Sequence, residues 1–268
     1  MKLELALTVY CNQKSYQMYE VKTFKDNQVT ANITGKGDLI VKIRGNNYSD
    51  LFEAASVKEA WDNNSVENKN HIATLEIYCL IAQRSDRRFH PGESFDLKVI
   101  ANFINSMCFD KVRILHPHSS VTLALINNSE AISHFSFVKK AYDLIDNPVL
   151  VSPDAGAYKV THEIAEQLNA DLVPSNKVRV NGLPQISIQG NVKDRNCLIV
   201  DDLADGGRTF MYLAKELKNQ GAATIYLYVT HGQFNNGFDD LKESVEHIYC
   251  TNSYRDIDNL FVTQFSVI

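Results

Sequence analysis

The sequence predicts an α/β protein made of two related domains, each with a mainly parallel sheet flanked by helices. Three observations predict it. In the second half, short apolar runs alternate with segments whose apolar residues recur at helical spacing, the pattern of right-handed βαβ units on a parallel sheet. The run from Cys197 to Phe210 is an apolar strand, then two adjacent carboxylates, a glycine turn and the start of an amphipathic helix. In open parallel sheets that strand-to-helix junction is where ligands bind. The first half repeats the theme weakly, which divides the 268 residues near Asn147-Pro148, into 1–147 and 148–268. An apolar content of 44% is enough for two modest cores.

In order, Leu3–Tyr10, Tyr19–Phe24, Gln28–Ile33 and Leu39–Ile43 alternate as strands between Asn, Asp and Gly turns. Leu51, Ala54, Ala55, Val57 and Ala60 make Asp50–Asn63 a helix. A strand in Ile72–Ile81 leads to the polar run Gln83-Arg-Ser-Asp-Arg-Arg-Phe-His-Pro-Gly92. Leu97, Ile100, Ala101, Ile104 and Met107 form the stripe of a helix over Phe95–Cys108. Val112–Leu115 is a buried strand ending at His116-Pro-His118. Val149–Ser152 is a strand, Tyr158–Leu168 a helix and Leu172–Pro174 a short strand. Lys177–Gly190 carries Gly182 and Pro184 and suits a mobile loop or a hairpin. Cys197–Val200 and Ile225–Thr230 are strands around the helix Phe210–Gln220, which stops at Gly221.

The formal net charge is −5 and no segment concentrates Lys or Arg, so neither a nucleic-acid nor a membrane surface is expected. An anionic ligand must therefore be held locally. The apolar stretches are too short to span a bilayer and the start lacks a secretion signal, which gives a cytoplasmic expectation. The five cysteines (Cys11, Cys79, Cys108, Cys197, Cys250) are scattered without metal-ligand spacing and read as reduced thiols.

Four strand ends or loops hold polar groups that a core would not choose: Arg84-Ser-Asp-Arg87, His116-Pro-His118, Ser152-Pro-Asp-Ala-Gly156, and Asp201 and Asp202 with their glycine turn. Taken singly, Asp154 reads equally as a turn residue, His118 as a structural histidine and the arginines as solvated surface. Asp201 and Asp202 stand out because a buried strand leads into them. Glycines beyond them let backbone N–H groups approach an anion at the positive end of a helix, while the carboxylates hydrogen-bond sugar hydroxyls. Phosphorylated ribose is the ligand this arrangement implies.

Together with Phe24-Lys-Asp26, Lys177-Val-Arg179 and Thr230-His-Gly232, these segments resemble, in order, the ribose-phosphate pyrophosphokinases. The resemblance runs from about residue 20 to 240, and Val151-Ser-Pro-Asp-Ala-Gly156 with the Asp201 strand are its most specific pieces. It implies two tandem phosphoribosyltransferase-like domains, 1–147 on the ATP side with subunit contacts and 148–268 on the ribose-phosphate side. It implies transfer of the diphosphoryl group of ATP to the anomeric hydroxyl of a 5-phosphorylated ribose, with Mg²⁺ as cofactor. Asp201 and Asp202 would hold the ribose hydroxyls; Asp205, Gly206, Gly207, Arg208 and Thr209 would cradle the 5-phosphate. His118 and Asp154 would contact the metal. Lys177 and Arg179 would act on the transferring group, and Arg84, Asp86 and Arg87 would contact ATP. Phe24 and Asp26 match a segment that in the family reaches a neighbouring subunit's adenine, so a homodimer at least is implied.

The sequence also departs from the family's pattern. Its phosphate turn usually reads Asp-Thr-Gly-Gly-Thr, whereas here Arg208 stands where a glycine allows close backbone approach. That guanidinium adds a bidentate phosphate donor, which makes ADP-ribose a rival acceptor to ribose 5-phosphate and would place the reaction in NAD metabolism. Gln28 and His116 replace acidic residues, and the loop from Lys177 is shorter than usual. The family's final helix is expected to be missing before Ile268. Two other functions are compatible with the same motifs. One is a phosphoribosyltransferase using an activated sugar, and the other a catalytically silent regulatory homologue.

Overall fold

The computed structural model describes residues 8–11, 19–26, 28–34, 37–63, 70–180 and 183–267. The chain divides between Ser133 and His134 into two compact units. The first contains β1 (Thr8–Cys11), β2 (Tyr19–Thr23), β3 (Val29–Ile33), β4 (Leu39–Ile43), α1 (Tyr48–Asn63) and β5 (Ala73–Ile77). It continues with α2 (Asp96–Ser106), β6 (Lys111–Leu115), α3 (Ser120–Leu125) and β7 (Ser129–Ile132). Its five-stranded sheet runs β1-β4-β5-β6-β7, parallel except at the antiparallel edge strand β1, and β2 with β3 is a separate hairpin.

Strand periodicity sorts this sheet's residues into two unlike faces. Leu39, Val41, Ile43, Leu75, Ile77, Val112 and Ile114 point into a core with Leu51, Ala54 and Val57 of α1 and Leu97, Ile100 and Ile104 of α2. The alternate positions carry a ladder of charges in register, Lys42 beside Glu76, Glu76 beside Arg113, Arg113 beside Glu130. Arg113 bridges it, with Nη1 2.5 Å from Glu76 Oε1 and Nε 2.9 Å from Glu130 Oε1. Lys42 Nζ lies 3.6 Å from Glu76 Oε2.

The second unit contains α4 (Phe135–Asp143), β8 (Val149–Ser152), α5 (Ala155–Leu168), β9 (Leu172–Val180), β10 (Leu183–Ile188) and β11 (Asn196–Ala204). After these come α6 (Arg208–Asn219), β12 (Thr224–Gly232), α7 (Asp239–Lys242), β13 (His247–Thr251) and β14 (Val262–Phe265). The seven-stranded sheet has the order β10-β9-β8-β11-β12-β13-β14, with only β10 antiparallel to its neighbour. Both faces are covered. Cys197 and Ile199 of β11 pack with Leu213 and Leu217 of α6, while Leu198 and Val200 pack with Val138 and Ala141 of α4 and Ile164 and Ala165 of α5. Burial on both sides is why β11 reads as an unbroken apolar run.

Three details differ from the sequence reading. The units part earlier than Asn147-Pro148, because α4 docks Val138 and Ala141, with Ile145 just beyond it, onto the second sheet. The strand expected in Ile72–Ile81 stops at Ile77, where the chain bends toward a left-handed Ala82 (φ 63°). Strand β11 does not end at Val200 but runs on through Ala204. The segment from Lys177 to Gly190 forms the hairpin of the two alternatives, β9 pairing with β10. Residues 3–7 of the first expected strand lie outside the described residues.

Candidate functional site

Strands β8 and β11 are parallel neighbours, Val149 opposite Cys197 and Val151 opposite Ile199, so their carboxyl ends share one edge of the sheet. That edge gathers Asp154, Asp201 and Asp202. β12 pairs with β11 beyond the carboxylates, Leu203 opposite His231 and Ala204 opposite Gly232, which holds Asp201 and Asp202 half-buried within the strand. The Asp202 N–H donates to Asp201 Oδ1 at 2.9 Å. Burial, then the negative charges of Asp202 and Asp154, push the Asp201 carboxyl well above its ordinary value.

Beyond Ala204 the chain turns through Asp205, Gly206 and Gly207 into α6. Gly207 has φ 76°, and a Cβ there would lie 2.9 Å from Leu241 Cδ1, so only glycine makes this turn without strain. Its carbonyl accepts from Phe210 N (3.0 Å) and Met211 N (3.2 Å), which starts the helix. The first N–H groups of a helix have no partner within it and attract anions. Arg208, the first residue of α6, is exposed, and Thr209 follows half-buried. Asp205 is held from behind: Asn235 Nδ2 donates to its Oδ1 at 2.7 Å.

Asp154 caps α5, its Oδ1 accepting from Gly156 N (2.9 Å) and Ala157 N (3.0 Å). Ser152 Oγ donates to the Asp154 carbonyl at 2.8 Å, and Ser175 Oγ donates to the Ser152 carbonyl at 2.8 Å. The Ser-Pro-Asp-Ala-Gly segment thus caps α5 while lying at the carboxyl end of β8. Lys177 and Arg179 stand on β9 opposite Ile186 and Pro184 of β10; their side chains lie outside the described residues.

In the first unit, the polar run after β5 brings Asp86, Arg87 and His118 together. Asp86 is buried and Arg87 grips it with two bonds, Nε at 2.7 Å and Nη2 at 3.0 Å. That bond, helped by Ser119 and the charge of His118, holds the Asp86 carboxyl below its usual range. His118 is exposed and its N–H donates to Gln83 Oε1 at 3.2 Å, while Arg84 is exposed. On the β2–β3 hairpin, Phe24 is exposed and Asp26 Oδ1 accepts from Gln28 N at 3.1 Å.

Neither His134 nor Ser253 stands out in the sequence, whereas His231 lies in the segment Thr230-His-Gly232. His134, just before α4, is buried; desolvation and the neighbouring His231 depress its pKa to about 4, against the pull of Asp202. His231 is fully buried with Nδ1 2.9 Å from Ser253 Oγ, and that hydroxyl donates to the Thr230 carbonyl at 3.2 Å. Among the described residues no group of three or more His, Cys, Asp or Glu forms a ready metal cage, and no helix is long and apolar enough to cross a membrane.

A doubly covered parallel sheet with paired carboxylates and a glycine turn at its carboxyl edge defines a class. The chain belongs to the phosphoribosyl transferase domain family, whose model matches residues 130–267. Within it, its relatives in sequence are ribose-phosphate pyrophosphokinases. It is 27% identical to that of Sulfurisphaera tokodaii over 69% of this chain and 66% of that protein. It is 35% identical to that of Ureaplasma parvum over 57% and 48%, and 26% identical to that of Clostridium perfringens over 87% and 77%. Against the first two of these relatives the chain spans between about half and two thirds of their length. In fold it is similar to the crystal structure of phosphoribosylpyrophosphate synthetase from Mycobacterium smegmatis, with a TM-score of 0.77 at 18% identity, covering 93% of this chain and 86% of that one.

Proposed function

We propose that the protein is an ATP- and magnesium-dependent pyrophosphokinase that moves a diphosphoryl group onto the anomeric hydroxyl of a 5-phosphorylated ribose and releases AMP. The observation that carries this reading is the meeting of Asp154, Asp201, Asp202 and the Gly207 turn at the carboxyl ends of β8 and β11. The names of its sequence relatives support the same activity. On this reading the second unit holds the sugar phosphate. Asp201 and Asp202 accept the ribose hydroxyls, and the turn 205–209 takes the 5-phosphate. The first unit takes ATP through Arg84, Asp86 and Arg87, the bidentate Asp86 fixing the Arg87 guanidinium in one orientation. Phe24 and Asp26 reach the adenine of a second copy, in a cytoplasmic homodimer.

Phosphoryl-type transfer asks mainly for positioning and charge neutralisation. Lys177 and Arg179 supply positive charge to the transferring group from β9. Magnesium, when bound, supplies the rest of that neutralisation. The oxygen-rich edge of the second unit suits a hard cation that keeps several waters. Asp154, whose cap uses Oδ1, would hold it there.

Arg208 favours ADP-ribose over ribose 5-phosphate as acceptor. It is exposed at the first position of α6, beside the anion cradle, where a guanidinium can pair with a second phosphate. Incubating the protein with Mg·ATP and each sugar phosphate in turn, while following AMP, tests both levels. AMP that rises only with an acceptor, and faster with ADP-ribose, is the expected result; AMP formed equally without any acceptor would overturn the reading. Base-dependent diphosphate release without AMP would mark a phosphoribosyltransferase instead.

A further inference from the structure

We infer that Asn235 is a positioning residue for the sugar-phosphate turn, tying the Asp205 carboxylate back and out of the anion cradle formed by Gly207 and the start of α6. The inference rests on the reading of that turn as the phosphate site. A phosphate held at the first N–H groups of α6 has a carboxylate only two residues before Gly207, and like charges at close range repel. Something must keep Asp205 turned away. Asn235 does so at both ends of the residue: its Nδ2 donates to Asp205 Oδ1 at 2.7 Å and its backbone N–H to the Asp205 carbonyl at 3.0 Å.

The chain is shaped to bring Asn235 there. β12 follows β11 as far as Gly232 beside Ala204, and the N–H groups of Gln233 and Phe234 then both donate to the Ala204 carbonyl, at 2.9 and 3.1 Å. Phe234 is buried and takes φ 47°, a backbone that a bulky residue rarely adopts. The bend delivers Asn235 and Asn236 against the turn, and Arg255 Nη2 steadies it with a bond to the Phe234 carbonyl at 3.3 Å. Asn236 fills the space beside Gly206, where a Cβ would lie 2.7 Å from its Nδ2. An amide suits position 235 because it donates to a carboxylate without adding charge to a site that must accept an anion. Asn235 itself is exposed, so replacing it opens no core.

The test is an added negative charge and its repair in the full chain, titrated calorimetrically with ribose 5-phosphate and with ADP-ribose. Asn235→Asp sets two carboxylates face to face and is expected to weaken sugar-phosphate binding about tenfold, the loss that accompanies a broken charge-assisted hydrogen bond. The KM for ATP should stay where it is. Adding Asp205→Asn restores one amide and one carboxylate with their places exchanged, and binding is expected to return to within about threefold of the starting protein, since the two positions are coupled. A double variant as weak as Asn235→Asp, a single variant that binds normally, or a parallel rise in the KM for ATP would overturn the inference. If the unaltered protein bound neither sugar phosphate, the reading beneath it would fall as well.

Discussion

Asp201 is held in a state that its own chemistry resists. Its ordinary pKa is 3.8, and burial with two neighbouring carboxylates raises it well above that value. A carboxyl whose folded pKa is raised adds stability at low pH and loses it as pH rises from the unfolded value through the folded one. Above its ordinary pKa the residue therefore weakens the fold. Asp201→Asn, which resembles the protonated state, is expected to raise the midpoint of thermal unfolding at neutral pH and to lower turnover; the gain should vanish in acid. A variant that melts lower at neutral pH would contradict this account. In the sequence Asp201 and Asp202 stand out because charge interrupts an apolar run, whereas Asp154, framed by Pro and Gly, reads equally as a turn residue and stands out only through the resemblance. The sequence marked His231 only as part of the segment Thr230-His-Gly232 and gave no sign of Asn235 or of Ser253, the partner of His231. Asn235 lies far along the chain from Asp205 and His231 from Ser253, and only strand register and a strained Phe234 bring those partners together.

At the scale of elements, strand and helix meet through a single residue with left-handed backbone. Gly207 lets β11 enter α6 while its carbonyl starts the helix. Gly207→Ala pays for both a positive φ and a Cβ against Leu241, and should cost about 1–3 kcal/mol in chemical denaturation. It should also weaken sugar-phosphate binding, since the helix start moves. An unaffected midpoint would show that the turn relaxes freely. Elements with regular periodicity were legible: β8 appears at its expected bounds, and α2 and α6 within a residue or two of theirs. Those that escaped are short or lean on tertiary partners. β7 is a half-exposed edge strand whose Glu130 is explained by Arg113 and Lys111 on β6, and α3 has six residues. β11 looked shorter than it is, because Asp201 and Asp202 interrupt its apolar run while Asp201, Leu203 and Ala204 remain paired to β12.

The whole molecule has two cores built on different terms. The alternation of strands and helices made both sheets legible, whereas the division expected near Asn147-Pro148 falls after α4, whose Val138 and Ala141 dock on the second sheet. The second sheet is apolar on both faces, but the first gives one face to the ladder Lys42, Glu76, Arg113 and Glu130. Ion pairs on a partly exposed face weaken as salt rises, while apolar burial does not. Heating should therefore show two transitions in calorimetry, one for each unit. Moving from low to high salt should lower only the first unit's transition, by about 4 °C for each ~1 kcal/mol lost from the ladder. Transitions that move together would refute it. The ladder thus makes dissolved electrolyte a dial wired to one half of the molecule, by which the first unit can be loosened while the half bearing the Gly207 turn stays intact.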